Sequence, residues 1–378
     1  MFVPLENTPR DYAWGSLTAM AEVLGTHPSG RPEAEYWLGT HPGSPSRVED
    51  SPVTHHAATL ADITTLPFLL KILTAAAPLS LQAHPTTEQA RRGFERENAL
   101  GIPLDAPNRN YRDAMHKPEL IYALSSEFAA LCGFRPVEQT RLLLAGLSQD
   151  PLVEDLRARL VDDAALRSVF EWLISRAAGV DELVTRVVEL ARARPEPEFE
   201  MVGDLAQSYP GDPGIVIALL LNRVVLRSGQ VLYLPAGNIH AYLWGVGIEL
   251  MAASDNVLRG GLTPKHVDVA ELLAILDFRP VELPLLVAEH PAAGVEVFHP
   301  DVPDFELGVV RPMGEPTRFA PGGECILLCT DGELRIVGST GEFRLSRGDS
   351  VYVSADEGEL AFDGSGTVFV AATNSRES

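Results

Sequence analysis

The sequence predicts a mainly β protein with an α-helical insertion, built around two jelly-roll β-barrels. Strand-like apolar runs broken by Gly, Pro and Ser clusters occupy both ends of the chain, helical spacing is confined to its middle, and one short strand motif occurs twice. Residues 1 to about 84 read as short strands and turns, clearest at Ala34–Thr40 and Pro67–Leu73. Pro85-Thr86-Thr87-Glu88 then starts a helix to about Asn98, with Thr86 or Thr87 as its N-cap. A loop rich in Pro and Asn (101–111) leads to a strand over Glu119–Tyr122.

From Pro136 to about Arg194 the apolar spacing is helical, as in Leu144, Leu147, Leu152, Leu156 and Leu160. Ser148-Gln149-Asp150-Pro151 divides these helices, and Pro210-Gly211-Asp212-Pro213-Gly214 ends the segment. A further apolar helix is expected over Ile215–Asn222, with strands resuming at Val224 and a last helix starting at Thr263-Pro264. Beyond Phe278 the chain is again Gly-punctuated and β-rich. The repeated motif decides the architecture. Ser228-Gly229-Gln230-Val231-Leu232-Tyr233-Leu234-Pro235-Ala236 lines up with Arg347-Gly348-Asp349-Ser350-Val351-Tyr352-Val353-Ser354-Ala355, as expected of paired barrels of cupin type. The expected units are a discontinuous metal-binding barrel (1–135 and 215–277), a helical insertion (136–214) and a second, degenerate barrel (278–378). In the second barrel Glu359 falls where the first has His240, so no metal is expected there.

Charge and cysteine content narrow the functions. A net charge of −22 argues against nucleic acid and anionic membrane surfaces as partners, and leaves an anionic small molecule possible only through a local cationic cluster. Cys132, Cys325 and Cys329 are an odd set, and Cys325 and Cys329 would stand roughly 13 Å apart along one strand, so buried thiols are expected. The N-terminal residues lack the pattern of a signal peptide, and the longest apolar run, Ile215–Leu221, is too short to span a bilayer. A reducing cytoplasm is the expected compartment, with the protein a monomer or homodimer.

The chemistry concentrates in a few pairs. Gln82 and His84 lie two apart on a presumed strand and so share a face, as do Lys117 with Glu119 and His240 with Tyr242. Gln82, His84, Glu119 and His240 together offer two imidazoles, a carboxylate and an amide oxygen, a set suited to zinc or another divalent first-row ion. The other histidines are read as structural: adjacent His55 and His56 point apart, and His116 faces away from Lys117. His41, in Gly39-Thr40-His41-Pro42, is the one further imidazole with a route to the site. Arg259, beside Gly260-Gly261, offers a guanidinium fork to phosphate or enediolate oxygens, with a helix start at Thr263-Pro264 adding backbone donors. Lys71, Lys117, Arg259 and Lys265 make up the expected cationic patch, and Ser80 and Tyr242 are further candidates for substrate contact.

Three stretches carry a family resemblance. Gln82-x-His84-Pro85, Tyr111-Arg112-Asp113-x-x-His116-Lys117-Pro118-Glu119 and Ala253-Ser254-Asp255-Asn256-Val257-x-Arg259-x-Gly261-Leu262-Thr263-Pro264-Lys265 resemble type I phosphomannose isomerases, and the likeness extends over most of the chain to Asp268. It implies one zinc ion per chain on Gln82, His84, Glu119 and His240, Arg259 as a catalytic residue, and interconversion of mannose 6-phosphate and fructose 6-phosphate. Moving a proton between C2 and C1 through a cis-enediol requires a base, an electrophile and a phosphate grip. Lys117 and the metal suit the electrophile, and Glu249 is a candidate proton carrier. Two other readings stand beside this one: a cupin oxygenase using ferrous iron, and a non-catalytic sugar-phosphate-binding cupin.

Overall fold

A computed structural model of the chain describes residues 1–49, 54 and 56–374, so His55 lies outside the described residues. It contains two antiparallel sheets, one of ten strands and one of nine, with most helices between residues 137 and 217. The two sheets share a core in which Leu38, Phe68, Leu70, Ile248 and Leu250 pack with Leu307, Ile326, Leu328 and Phe369. This fold is mainly β with two barrel-like units, as the sequence predicts. Both copies of the repeated motif are strands, Val231–Leu234 and Ser350–Val353, each entered through a glycine at φ 92° (Gly229 and Gly348). A side chain at either position would be strained, which is why the motif begins with Gly.

The first strand, Phe2–Glu6, pairs with Ser350–Val353 and so belongs to the C-terminal sheet rather than to the sheet that carries the site. The helices Val137–Leu147, Pro151–Arg159, Leu166–Ile174, Val180–Ala191 and Pro197–Ser208 cover the outer face of the other sheet. Their apolar faces share a core with Leu131, Phe134, Ala241 and Leu243. The helix after Thr86 runs over Thr87–Ala99, and Thr86 forms a reciprocal capping box with Gln89.

Two boundaries differ from expectation. The apolar helix stops at Ile217, passes through a 3₁₀ turn at Ala218–Leu220, and becomes a strand at Leu221, which pairs with Phe134. An unbroken apolar run has no period, so its sequence gives no sign of where helix becomes strand. The helix expected at Thr263-Pro264 begins at Val269 instead, capped by the Asp268 carboxylate on the Glu271 N–H. Thr263 N donates to Asp212 and Lys265 N to the Thr263 hydroxyl, so these amides are not a helix start open to an anion.

One strand organises the site. His240–Ala252 pairs at its start with Gln82–Ala83 and Glu127–Phe134, and further on with Phe68–Ala75 and Glu119–Ala123. Its register slips between Tyr242 and Trp244. A one-residue irregularity reverses the alternation of side chains. His240 and Tyr242 face the barrel interior before it; Gly247, Glu249 and Met251 face the interior after it, while Ile248 and Leu250 enter the inter-sheet core. Without the slip His240 and Glu249, nine residues apart, would lie on opposite faces. Gly245 sits in this segment at φ 129°, and a Cβ there would lie 2.9 Å from the Phe128 Cα. Gly245→Ala should therefore destabilise the fold by about 1–3 kcal/mol. Urea denaturation checks this, and a midpoint equal to the parent's would contradict it.

Candidate metal centre and active site

The inward rows of the sheet bring the candidate residues together. Antiparallel pairing sets Gln82 opposite both His240 and Arg259. Directly opposed residues share a face with Cβ atoms about 5 Å apart, so Arg259, Gln82 and His240 form one row. A second row pairs Trp37 with Lys71 and Lys71 with Glu249. Glu119 enters from its own strand opposite Met251. Gln82 is half-buried, whereas His84, Glu119 and His240 are almost completely enclosed.

The imidazoles are fixed by the backbone. His84 Nδ1 is 2.7 Å from the Asn256 carbonyl oxygen, and His240 Nδ1 is 3.1 Å from that of Asn238. A carbonyl only accepts, so each Nδ1 carries the proton and each Nε2 presents a bare lone pair. Both Nε2 atoms lie 3.4 Å from Glu119, one from each carboxylate oxygen. His84 Nε2, His240 Nε2 and Glu119 Oε2 are buried with no hydrogen-bond partner. Three converging acceptors without a donor are costly unless a cation sits among them. Ligand atoms of the three side chains lie within 4.8 Å of one another, and no other such group of His, Cys, Asp or Glu occurs among the described residues. The site fits a divalent metal.

Electrostatics agree. Burial pushes the His84 imidazole down to about 4, which keeps it neutral, the form that binds a metal. Burial works against the Glu119 charge, but Lys117, with Nζ 2.8 Å away, holds the carboxyl well below its usual range. Lys71 Nζ is 2.9 Å from Glu249, 3.9 Å from Glu35, and 5.0 Å from the centre of the Trp37 ring. These carboxylates outweigh burial and keep Lys71 charged, while burial raises Glu249 above the ordinary carboxyl range. Tyr242 is buried beside His240, its hydroxyl without a partner, and burial holds its proton firmly. Ser80 is half-buried in the loop before Gln82, between the Leu79 N–H bonded to Tyr242 and the Leu81 N–H bonded to Gly261.

The expected cationic patch divides in two. Lys71 and Lys117 are neutralised by Glu249 and Glu119, whereas Arg259 and Lys265 have no acidic partner among the described residues. Burial lowers both, and the charge of Arg112 lowers both further. Arg112 therefore belongs to this cluster, a member that sequence reasoning missed. Its place in Tyr111-Arg112-Asp113, five residues before Lys117, was the available signal. His41 does reach the site: it is buried, touches the Trp37 ring edge-on, and has Nε2 3.4 Å from Asp255. Burial and then the nearby Lys71 and Lys117 lower its pKa against the pull of Asp255. His116 turns away to Asp304 at 2.8 Å. In the second barrel Glu359 is half-exposed and paired with Arg318.

Such a site, on a cupin-type barrel, defines a metal-dependent enzyme or sugar-phosphate binder of this superfamily, and comparison decides among its members. The sequence profile of the type I phosphomannose isomerase catalytic domain matches residues 2–137. Mannose-6-phosphate isomerase of Escherichia coli is 35% identical over 96% of this chain and 97% of its own length. The human enzyme is 32% identical over 94% of this chain and 93% of its own. The crystal structure of apo mannose 6-phosphate isomerase from Salmonella typhimurium superposes with a TM-score of 0.89 at 32% identity, covering 99% of both chains. A zinc-bound mannose 6-phosphate isomerase gives the same values. This chain belongs to the type I phosphomannose isomerase family.

The buried lone pairs make a prediction that needs no substrate. The purified chain should take up about one equivalent of Co²⁺ or Zn²⁺, and His84→Ala or His240→Ala should abolish this uptake. Stoichiometric tight binding by the folded His240→Ala protein would contradict the site.

Proposed function

We infer that the chain interconverts mannose 6-phosphate and fructose 6-phosphate, with one zinc ion held by Gln82, His84, Glu119 and His240. The single observation that carries this is the enclosed triad of unpartnered acceptors, His84 Nε2, His240 Nε2 and Glu119 Oε2, inside a chain of this family. When bound, zinc supplies a Lewis acid for the sugar oxygens near C1 and C2.

The residues of the chain provide the rest of the chemistry. Isomerisation moves one proton between C2 and C1 and another between the two oxygens, with no net gain or loss. Glu249 is the proposed proton carrier: it faces the interior, and burial raises its proton affinity towards the range useful for transfer. Its partner Lys71, 2.9 Å away, offsets the charge change as the proton comes and goes. Lys117 keeps Glu119 ionised and presents an ammonium where negative charge develops on the sugar oxygens. Tyr242 has a buried hydroxyl beside Glu249 that could donate to a sugar oxygen, and Ser80 lies at the loop that leads to it.

Arg259, Arg112 and Lys265 are the proposed grip on the phosphate. The charge of Arg112 lowers the pKa of both Arg259 and Lys265, and a dianionic group would offset the mutual repulsion of the three. This unpartnered cluster favours isomerase over oxygenase, which has no need of it. The three free, buried cysteines support a reducing cytoplasm as the compartment, and among the described residues no helix is long and apolar enough to cross a membrane.

Two outcomes test this reading. Mannose should be turned over far more slowly than its 6-phosphate, with losses in kcat as well as KM, because remote binding energy supports the chemical step. Comparable kcat/KM for the two sugars, measured in a coupled assay, would rule out the grip. Arg259→Lys keeps the charge but loses the planar fork, so kcat should fall on the order of 10²- to 10³-fold with zinc content and Tm near the parent's. A loss of activity only in step with lost zinc would make Arg259 structural.

A further inference from the structure

The loop that bears Arg112 and the backbone that holds His84 meet at one side chain. Asn256 is completely buried. Its main-chain oxygen accepts from His84 Nδ1 at 2.7 Å. Its side-chain oxygen accepts from the N–H groups of Arg112 (2.8 Å) and Asp113 (3.3 Å). Its amide nitrogen donates to the Asp113 carbonyl (3.0 Å), the Asp113 carboxylate (3.0 Å) and the Met115 carbonyl (2.8 Å). Asp113 answers from the other side, accepting from the Ser254 hydroxyl and the Asp255 N–H, each at 2.9 Å. Asn256 N completes the clasp by donating to Ser254 Oγ at 3.2 Å.

We propose that Asn256 and Asp113 are positioning residues that couple the two halves of the active site: the Asn256 main-chain carbonyl fixes the imidazole of His84, while its side chain, locked to Asp113, holds the Arg112 backbone so that this cation stands beside Arg259 and Lys265. Only an amide side chain can accept from the Arg112 and Asp113 N–H groups and donate to the Asp113 and Met115 oxygens at once. Aspartate at 256 has the same shape but would turn an oxygen towards two carbonyls and a carboxylate, leaving those acceptors unpaired in a buried place. The loop would then swing, taking the Arg112 backbone with it. The Asn256 carbonyl that sets the His84 tautomer would shift in the same movement.

This proposal rests on the metal and phosphate-grip assignments above, and its test separates failure of those from failure of the clasp. Asn256→Asp should weaken Zn²⁺ binding about 10- to 100-fold in competition with a chromogenic chelator, the usual effect of losing a group that orients a ligand. It should also raise KM for mannose 6-phosphate and weaken competitive inhibition by inorganic phosphate, with kcat at saturating zinc changed much less than KM. Arg112→Gln should raise KM without altering zinc affinity. Combined with Asn256→Asp it should add little, because both remove the same contact.

Glu97→Gln is the structural control. Glu97 is a buried acceptor for Tyr111 N (2.9 Å) and Asn110 N (3.2 Å) on the same loop, and its loss should lower Tm while leaving zinc affinity unchanged. If Asn256→Asp does not fold, Ser254→Ala removes one arm of the clasp and should show the same paired effects at smaller size. Loss of Tm alone in Asn256→Asp and Ser254→Ala, with parental zinc affinity and KM, would overturn the proposal. So would KM effects of Arg112→Gln and Asn256→Asp that simply multiply. Parental KM in Arg112→Gln would instead refute the grip itself, and parent protein without a stoichiometric metal would refute the metal centre.

Discussion

Two backbone carbonyls decide what this site can do. By accepting the Nδ1 protons of His84 and His240, Asn256 and Asn238 compel both imidazoles to turn bare nitrogens towards Glu119. Lys117 keeps that carboxylate ionised in an enclosed place. The protein thereby holds three acceptors together at a cost that a bound cation offsets. The bulge at Tyr242–Trp244, the crossing of the long strand over four others and the half-buried Gln82 all serve this arrangement, since each sets which side chains share the interior face.

The buried lysines of the site are paired with carboxylates, whereas the more exposed Arg112, Arg259 and Lys265 are not. Lys71 lies between Glu249 and Glu35, and Trp37 steadies both, donating from its ring nitrogen to Glu35 at 2.9 Å and offering its face to Lys71. A buried ion pair of this kind adds little to stability, but it leaves a carboxyl whose proton affinity its neighbours adjust. Arg112, Arg259 and Lys265 lack such compensation. That division is what the proposed roles require: proton transfer at the paired Glu249 and Lys71, and an anion held by the unpaired cations.

Much of this was legible in the sequence because it depends on short-range periodicity. Residues two apart on a strand share a face, so Lys117 with Glu119 and His240 with Tyr242 could be read as pairs, and they meet as expected. The strand motif repeated around Gly229 and Gly348 was equally plain. What could not be read depends on partners far along the chain. Glu249, nine residues after His240, reaches the interior only because the irregularity between Tyr242 and Trp244, which no sequence signal announces, reverses the alternation. The first strand joins the last sheet through pairing across some 350 residues, which no local pattern announces. Lys71 looked like part of an anion grip because its carboxylate partners, Glu35 and Glu249, lie on other strands. Arg112 was passed over for the same reason, since its nearness to Arg259 exists only in the folded chain. The Thr263-Pro264 pair carried a true helix-start signal, but Asp212 captured the Leu262 and Thr263 amides and the helix waited for Asp268.

The central claim is that two imidazole Nε2 atoms and light oxygen donors form the metal site, although the thiol of Cys132 stands opposite His240 on the neighbouring strand. X-ray absorption at the zinc edge of the loaded protein addresses this directly. The expected spectrum shows only nitrogen and oxygen neighbours at about 2.0–2.2 Å, with outer-shell scattering from two imidazole rings. A sulfur neighbour near 2.3 Å, or scattering from fewer than two rings, would contradict the account.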